Sequence, residues 1–419
     1  MKKILIFILL LSSIKGYSSG FQVSLQGTRQ MGMGHVGTSL SFDASAVYFN
    51  PGALSLSGKS FSASIGFSPI FSRISYAGSG NSQYKADQVH QIGTPFNAFV
   101  SYSPNNLFKK KLSIGFGIYT PFGSGSKWQD DWKGRYIVQS VDLKTIFFQP
   151  TLSYRLSKKL GVGVGLMYAT GALELRKAVP IQTASEAYGQ ATLSGDAKGM
   201  GVNVGIQYNA TEKLNIGFNY KSEVKVKLDA GQATFEVPSS VSANFPNTFF
   251  SSTITLPKII NAGASYKVND KLTIAGEVNY TGWSSYDTLK FDFATETSSL
   301  KDSKSTKAWK DTYTFRVGSE YQANKNVQLR GGFYYDMSAA RGGFVSPETP
   351  DANKIALTMG ASLKVGKVII DAALLYASSA KINQLNTETN FDGTFQAKAV
   401  IPSIGVRFDL NHKKEDASY

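Results

Sequence analysis

The feature that most constrains this chain is a two-residue alternation of apolar with polar or tiny side chains, which recurs along most of its length. Successive side chains of a β-strand point to opposite faces, so such runs predict strands that each have one apolar face. The clearest runs lie at residues 112–118, 160–167, 214–220, 272–280 and 403–410. The chain is therefore predicted to be an all-β protein.

A soluble sandwich would also alternate, but three features favour a transmembrane barrel. The runs reach about ten residues, the length that a tilted membrane strand needs. Aromatic residues cluster at run ends, as at Tyr168, Tyr220 and Tyr280, and this resembles an interfacial girdle. Short polar turns also alternate with long polar stretches, as expected for periplasmic turns and external loops. Long loops are predicted at residues 123–139, 177–197, 229–252, 285–308 and 340–353.

The number of strands fits a closed barrel. Fourteen are predicted, at residues 60–71, 89–102, 112–122, 141–156, 159–175, 198–210, 213–228, 254–268, 271–294, 305–323, 326–339, 353–366, 367–381 and 397–410. An even number is what an antiparallel bacterial barrel requires. Residues 19–58 lack sustained alternation and are rich in Gly, Ser and Ala. Because a barrel of this width needs filling, we expect this segment to be a plug, or hatch, inside the lumen.

The two ends of the chain complete the predicted organisation. Lys2 and Lys3 precede the apolar run 4–11, and small residues follow up to Ser18, so residues 1–18 are predicted to be a secretory signal peptide. The plug then spans residues 19–58, the barrel residues 59–410 and a polar tail residues 411–419. A secreted barrel is expected in the outer membrane of a Gram-negative bacterium.

Composition narrows the possible functions. Only 17% of the 419 residues are charged, against about 25% in soluble proteins. The absence of cysteine excludes disulfide scaffolds, thiolate metal sites and cysteine nucleophiles. The net charge of +15 comes from scattered lysines with no basic helix or RNA-binding motif, so we expect no nucleic-acid partner. A positive lumen or surface that attracts anions explains the charge better.

Two patterns could suggest chemistry, and both are weak. Residues 32–37 match G-x-G-x-x-G, but no strand precedes them and no acidic partner follows, so close packing of glycines in the plug explains the motif better than nucleotide binding. The three histidines, His35, His90 and His412, are far apart and have no recognisable catalytic context. We therefore expect no enzyme, no metal site and no cofactor.

The mature N-terminal region carries a family resemblance. Gly20-Phe21-Gln22 through Asn50-Pro51-Gly52 resembles the start of the FadL family of outer-membrane fatty-acid transporters, which open on Gly-Phe and have Asn-Pro-Ala in the plug. Gly52 replaces that alanine. The resemblance continues in order along the chain, at Pro121-Phe122-Gly123, Trp132–Tyr136, Tyr220–Lys225, Leu256-Pro257, Tyr280–Ser284, Lys310–Tyr313 and Lys381–Asn383. The polar tail departs from the usual aromatic end of such barrels, so either Phe408 or Tyr419 would serve as the assembly signal.

The resemblance implies a plug gate made of Phe21, Asn50, Pro51 and Gly52. Considered alone, Asn50-Pro51 would be an ordinary turn, which this dipeptide favours. At the family's plug constriction, proline fixes φ while the asparagine amide can tie the plug to the barrel wall. Such a plug could hold one conformation until ligand displaces it.

The resemblance also implies a strand that kinks inward at Thr120, Pro121, Phe122 and Gly123 and leaves a lateral gap in the wall. The alternative is that the strand simply ends there, since proline breaks a ladder hydrogen bond.

Arg176 and Lys310 are the candidate ligand-binding residues, for the carboxylate end of a fatty acid. A buried cation needs a counter-charge, which the ligand would supply. Lys310 lies in a well-matched motif, and Arg176 is one position out of register with the family's basic residue. The alternative is that both are solvated charges at the rim.

The sequence thus predicts passive, selective uptake of long-chain fatty acids or similar hydrophobic molecules, with capture, plug movement and lateral exit into the bilayer. One alternative keeps the fold and changes the cargo to small aromatic hydrocarbons. Another is a structural or adhesive barrel whose plug stays shut. Expected partners are the hydrophobic ligands, outer-membrane lipid and, during biogenesis, the barrel-assembly machinery. The protein is expected to be a monomer.

Overall fold

The structure is a computed structural model that describes residues 20–104, 111–181 and 188–411. The predicted signal peptide and residues 412–419 of the predicted tail lie outside these ranges. The wall is built from β1 (Lys59–Phe67), β2 (Ile70–Ala77), β3 (Lys85–Asp87), β4 (Ile92–Gly93), β5 (Phe96–Tyr102), β6 (Leu112–Tyr119), β7 (Gly123–Lys127), β8 (Ser140–Arg155), β9 (Leu160–Val179), β10 (Gly189–Asn209), β11 (Leu214–Lys221), β12 (Val224–Glu236), β13 (Thr248–Leu256), β14 (Ile259–Lys267), β15 (Leu272–Thr281), β16 (Thr288–Phe293), β17 (Ser303–Thr306), β18 (Thr312–Gln322), β19 (Val327–Asp336), β20 (Lys354–Val365), β21 (Val368–Ser379), β22 (Ile382–Leu385) and β23 (Asp392–Asn411).

These segments combine into fourteen antiparallel wall strands, because several wall strands are interrupted. The first comprises β1 and β2, the second β3 to β5, the third β6 and β7, the seventh β11 and β12, and the eighth β13 and β14. The barrel closes through its first strand, in which Ala63 pairs with Phe408 on one side and with Val100 on the other. The predicted closed barrel of fourteen strands is confirmed.

The alternation in sequence becomes two faces of one wall. In β10, Val202, Val204 and Ile206 are exposed on the outside, while Asn203 and Gln207 are fully buried on the inside. An apolar outer face is what contact with hydrocarbon requires, and the polar inner face needs hydrogen-bond partners within the barrel. Among the described residues, no helix is long and apolar enough to span a membrane.

Several predicted loops are shorter than expected, because the strands extend into them. β9 continues to Val179 and β10 begins at Gly189, inside the predicted loop 177–197. The loops predicted at 123–139, 229–252 and 285–308 likewise contain β7, the ends of β12 and β13, and the short strands β16 and β17. A hairpin that rises beyond the membrane keeps its hydrogen-bond ladder but no longer needs an apolar face, so alternation does not mark it.

The residues before the first wall strand, 20–58, are called here the N-terminal segment. It contains the helical turns α1 (Thr28–Met31) and α2 (Ala46–Phe49) and the 3₁₀ helix η1 (Pro51–Leu56). Its backbone amides donate to the buried face of well-separated wall strands. Ala44 N bonds Ser62 Oγ of β1 at 3.0 Å, Thr38 N bonds Glu277 Oε2 of β15 at 2.9 Å and Gly34 N bonds Thr358 Oγ1 of β20 at 2.8 Å.

A buried ion network holds α1 against the wall. Arg29 donates to Glu320 of β18, Glu320 also accepts from Arg330 of β19 at 2.7 Å, and Arg407 of β23 bonds Asp371 of β21 at 2.5 Å. Within this network each of the charged side chains Arg29, Glu320, Arg330, Asp371 and Arg407 contacts an opposite charge, which offsets the cost of burying it. The network joins the N-terminal segment to β18, β19, β21 and β23, and β20 lies between β19 and β21 in the wall.

His35 lies within the N-terminal segment and is buried. Its ring is 4.9 Å from that of Phe49, and its φ of 61° is left-handed. Burial, together with the nearby cation Arg316, lowers the pKa of His35 well below its usual range. The ring is therefore neutral at physiological pH and packs as part of an aromatic cluster.

Candidate functional site

The third wall strand is broken at the position of the predicted kink. β6 ends at Tyr119 and β7 begins at Gly123, and both pair with β8. Tyr119 pairs with Phe147 and Gly123 with Lys144, so four residue steps on one strand (119 to 123) oppose three on the other (147 to 144). The extra residue makes a bulge, which bends the strand that carries it. Pro121 lies in the bulge, where its missing N–H breaks no ladder bond.

The backbone groups freed at this break bond to the N-terminal segment. Val23 N donates to Pro121 O at 2.8 Å, and Gly123 N donates to Phe21 O at 3.0 Å. The side-chain amide of Gln26 donates to Thr120 O at 2.9 Å. Because an unpaired amide in a membrane costs several kcal/mol, the break is tolerable only where such partners exist.

The hydrogen-bond ladder of the wall is interrupted beside the break. Two hydrogen bonds connect β7 to the second wall strand. Val89 N donates to Lys127 O at 2.7 Å, and the side-chain amide of Gln88 donates to Gly125 O at 3.1 Å. In the described part of the chain no ladder joins β7 to that strand. A cavity of about 530 Å³ fills the space, and Thr120 lines it. Val23 of the N-terminal segment also lines it. The remaining lining residues come from the first four wall strands; they include the apolar Ile70, Phe96, Phe122 and Leu143 and the charged Asp142 and Lys144.

An aromatic cage surrounds Phe21, on the inner side of the break. The ring of Phe21 lies 4.7 Å from Trp283, 5.4 Å from Tyr286, 5.6 Å from Trp309 and 6.2 Å from Phe122. All five rings are buried. The edge-to-face geometry of most of these pairs is the one that aromatic rings prefer.

The residue before Phe21 is fixed by a buried carboxylate. Gly20 N donates to Asp351 Oδ1 at 3.0 Å, and Asp351 also accepts from Ser338 Oγ and Ala339 N. Burial raises the pKa of Asp351 to about 6 despite these hydrogen bonds. The start of the N-terminal segment is thus held by a buried carboxyl group whose pKa is raised.

Asn50 joins two parts of the N-terminal segment to the wall. Its amide nitrogen donates to Thr38 O at 2.7 Å, to Ile206 O at 3.0 Å and to Gln207 Oε1 at 3.1 Å, and its oxygen accepts from Gly52 N at 3.1 Å. Asn50 is completely buried, so every one of these bonds forms away from water. Pro51 starts η1, where its missing N–H is not needed.

Gly52 lies against the wall itself. A Cβ at this position would be 2.7 Å from the carbonyl oxygens of both Gly161 and Gly205. Such contacts are too close for a methyl group, so this chain needs glycine where the family motif has alanine.

A family model described as outer membrane protein transport protein (OMPP1/FadL/TodX) matches residues 9–410. The chain belongs to this family. Its members are outer-membrane transport proteins, so the FadL-type fold, the outer-membrane location and the Gram-negative source predicted from the sequence are confirmed.

Individual relatives resemble the chain over nearly its whole length. The long-chain fatty acid transport protein of Escherichia coli strain K12 is 23% identical over 420 aligned residues, which cover 89% of this chain and 91% of that protein. A solved FadL homologue of Pseudomonas aeruginosa has a TM-score of 0.82 at 18% identity and covers 94% of this chain. The toluene transporter TodX of Pseudomonas putida has a TM-score of 0.69 at 15% identity and covers 96%.

Of the two predicted headgroup residues of this FadL-family chain, Arg176 lies in β9 and donates to Gln190 Oε1 of β10 at 3.2 Å. Lys310 follows Trp309 of the aromatic cage, and its backbone N bonds Ala339 O at 2.9 Å. Both side chains are half-buried. Lys310 is therefore next to the cage in sequence, whereas Arg176 bonds a residue of the neighbouring strand β10.

Sequence reasoning missed a buried ion pair in the same region. Lys307 and Glu348 bond directly; Lys307 is buried, and the side chain of Glu348 is only 15% exposed. Burial opposes ionisation of Glu348, but attraction to Lys307, with a smaller contribution from Lys177, holds its pKa below the usual range. The partners are 41 residues apart, so no local motif marks the pair. Lys177 of β9, the neighbour of Arg176 in sequence, is thus the residue of that strand that lies near the Glu348 carboxylate.

Proposed function

We propose that this chain carries long-chain fatty acids and similar hydrophobic molecules across the outer membrane, by passive diffusion and without catalysis. The observation that carries the proposal is the break in the third wall strand. It combines an interrupted strand ladder, a cavity of about 530 Å³ and backbone groups that bond to the N-terminal segment instead of to a neighbouring strand. A sealed structural barrel would have no need of this arrangement.

In this proposal residues 19–58 are the plug. The bonds to wall strands on different sides of the barrel support that role, because a segment can reach all of them only from the lumen. The ion network at Arg29 fixes one part of the plug, while Phe21 and the segment around Asn50 contact the break and the wall. Phe21, Asn50, Pro51 and Gly52 then form the gate that moves when ligand enters.

The proposed exit is lateral, through the gap at Thr120, Pro121, Phe122 and Gly123. A hydrocarbon chain that leaves there passes from a mainly apolar cavity, which also carries Asp142 and Lys144, to the apolar membrane. Leaving through the barrel floor would expose the chain to periplasmic water at a cost of about 0.8 kcal/mol per CH₂ group. For a long acyl chain this difference decides the route.

At the outer end of the path, Arg176 and Lys310 are proposed to receive the ligand carboxylate. A charge-assisted hydrogen bond at a half-buried cation is stronger than a neutral one. The cage next to Lys310 would take the adjoining part of the acyl chain once Phe21 withdraws.

A second cargo class, small aromatic hydrocarbons, is favoured by one observation. Phe21 places a benzene ring among Trp283, Trp309, Tyr286 and Phe122. A free aromatic molecule would fit the same cage if the segment withdrew, and TodX, which shares the fold, is described as a toluene transporter.

The test measures uptake of radiolabelled dodecanoate, dodecane and toluene by cells that express the protein and by cells with an empty vector. Preferential uptake of dodecanoate supports the fatty-acid proposal. Preferential uptake of toluene would transfer the proposal to aromatic cargo. If cells with folded barrel in the membrane took up all three compounds only at the empty-vector rate, the transport proposal would be contradicted. The remaining interpretation would be a closed structural or adhesive barrel.

A further inference from the structure

Lys221, at the end of β11, has a buried side-chain amino group with no counter-charge beside it among the described residues. Its side chain is almost completely buried, and Nζ donates to Asn219 Oδ1 at 2.7 Å. Among the residues that the structure describes, no carboxylate lies within ion-pair distance of it. The acidic side chain Glu277 is occupied, because Arg316 bonds it at 2.9 Å. Burying an ammonium ion in this way is costly unless something offsets it.

The partner that Lys221 has instead is a ring of the N-terminal segment. Nζ lies 4.3 Å from the centroid of the Tyr48 ring, within the range of a cation–π contact. Tyr48 stands two residues before Asn50, which ties the segment to β10. An ammonium group has three N–H donors, and Asn219 accepts one of them. Within the described part of the chain Asn219 is the one acceptor that bonds this amino group, so its other donors can bond an anion.

The wall beside Lys221 is a continuous ladder of side-chain amides. Asn219 donates to Asn203 at 2.5 Å, Asn261 to Asn219 at 3.3 Å and Asn279 to Asn261 at 2.6 Å. The ladder crosses β10, β11, β14 and β15 on their buried face. At one end Asn203 bonds the carbonyl of Tyr48 at 3.2 Å. The inner wall is therefore polar at this level, although the lipid-facing side is apolar.

On its other side Lys221 borders an apolar pocket directly under the break. Pro121, Phe122, Phe147, Met167 and Ile259 line this pocket together with Tyr48 and Lys221. Only about 10 Å³ of it is open, so Tyr48 and its neighbours fill it almost completely. Withdrawal of Tyr48 would open the pocket toward the kink and expose the ammonium group to whatever entered.

We propose that Lys221 is a second carboxylate site, at the level of the kink, which takes the headgroup of an amphipathic acid such as a fatty acid on its way to the side opening. The inference rests on the proposed transport function and assigns an inner residue to it. The acyl chain occupies the apolar pocket under Phe122, and the carboxylate supplies the missing counter-charge.

The same site links ligand arrival to movement of the N-terminal segment. A carboxylate paired with Lys221 cancels most of the charge that attracts the Tyr48 ring. The contact that helps to hold Tyr48 beside Asn50 is then lost at the moment when ligand needs the space. A neutral hydrocarbon cannot do this, so Lys221 distinguishes acids from alkanes.

The test compares dodecanoate with dodecane, which have equal chain length and differ in charge. Lys221→Met keeps the length of the side chain and removes the ammonium group, Lys221→Arg restores a cation, and Lys225→Met is the matched control. Lys225 is four residues away, and its side chain is exposed on the outside of the wall. Uptake is measured at equal amounts of folded barrel, and binding of both ligands is measured on purified protein.

The expected result is that Lys221→Met lowers dodecanoate uptake and binding by roughly tenfold or more, as loss of a charge-assisted bond requires. Dodecane uptake stays within about twofold of the wild type, Lys221→Arg recovers most of the loss and Lys225→Met has no effect. Equal losses for dodecanoate and dodecane would show that Lys221 only supports the structure of the segment, and would overturn the inference. Unchanged dodecanoate uptake would also overturn it.

Failure of the proposed function gives a different result. Wild-type protein that took up neither compound above the empty-vector rate would contradict transport itself. A second outcome is that the wild-type protein takes up dodecane and that Lys221→Met has the same ratio of dodecanoate uptake to dodecane uptake as the wild type. This outcome would contradict only the inference about Lys221.

Discussion

Asn50→Ala tests how firmly the N-terminal segment is tied to the wall. The substitution removes an amide nitrogen that has acceptors at 2.7, 3.0 and 3.1 Å and an oxygen that accepts from Gly52 N. Two N–H bonds and one accepted bond give about three net hydrogen bonds, each contributing roughly 1–1.5 kcal/mol. Local opening of residues 46–57 should therefore become easier by about 3–4 kcal/mol, which is a hundredfold or more in population.

Native-state hydrogen exchange measures this opening directly. The amides of Ala53 and Ser57, which bond within η1 and at its end, should exchange roughly a hundredfold faster in Asn50→Ala. Amides of β20 and β21 in the same sample are the internal control and should not change. Exchange of residues 46–57 within about threefold of the wild type would refute the reasoning, because the bonds of Asn50 would then contribute almost nothing.

Three further predictions follow from the site. The double substitution Arg176→Ala and Lys310→Ala should weaken binding of dodecanoate to purified protein by about tenfold or more and leave binding of dodecane unchanged. Equal losses for the two ligands would show that neither residue binds a headgroup. Burial raises the pKa of Asp351 to about 6, so the folded state favours the protonated carboxyl group. Folding therefore becomes less favourable as the pH rises from about 4, the ordinary pKa of an Asp, to about 6. Protection of the Ala339 and Ala340 amides from hydrogen exchange, corrected for intrinsic rates, should fall over this range and then level off. Asp351→Asn should abolish that dependence. Gly52→Ala should lower the free energy of local unfolding of residues 46–57 by about 1–3 kcal/mol, because the added Cβ would lie 2.7 Å from two wall carbonyl oxygens. The measurement is hydrogen exchange of residues 46–57, which should become faster.

The barrel could be predicted from sequence because its main constraint is local. A wall strand shows its inward and outward faces through a period of two, as in β10, where Val204 faces out and Asn203 faces in. Alternation fails where strands leave the membrane, so the start of β10 at Gly189 was predicted to be loop. It also failed to separate β15 from β16, because residues 282–287 interrupt the ladder without interrupting the polar pattern.

The site was only partly predictable, since its contacts join distant residues. Pro121 marked the kink, but nothing near it in sequence indicates that Phe21 and Val23 bond the broken strand. Lys307 and Glu348 likewise pair across two loops. A usable signal did exist for the amide ladder, because Asn203 and Asn219 both occupy inward positions of alternating runs, where an amide must find a partner inside the barrel.

The central claim is that hydrophobic cargo leaves through the side of the barrel at the break in the third wall strand. Thr120→Arg places a charge in the cavity that Thr120 lines, and Thr234→Arg makes the same change at an exposed position of β12. A charge placed beside Phe96 and Phe122, which line the same cavity, must be desolvated whenever an acyl chain passes.

The decisive measurement is dodecanoate uptake by cells with equal amounts of folded barrel. The account predicts that Thr120→Arg lowers uptake to about a tenth or less of the wild-type rate, while Thr234→Arg retains the wild-type rate. Full uptake by correctly folded Thr120→Arg would contradict lateral exit and place the route elsewhere.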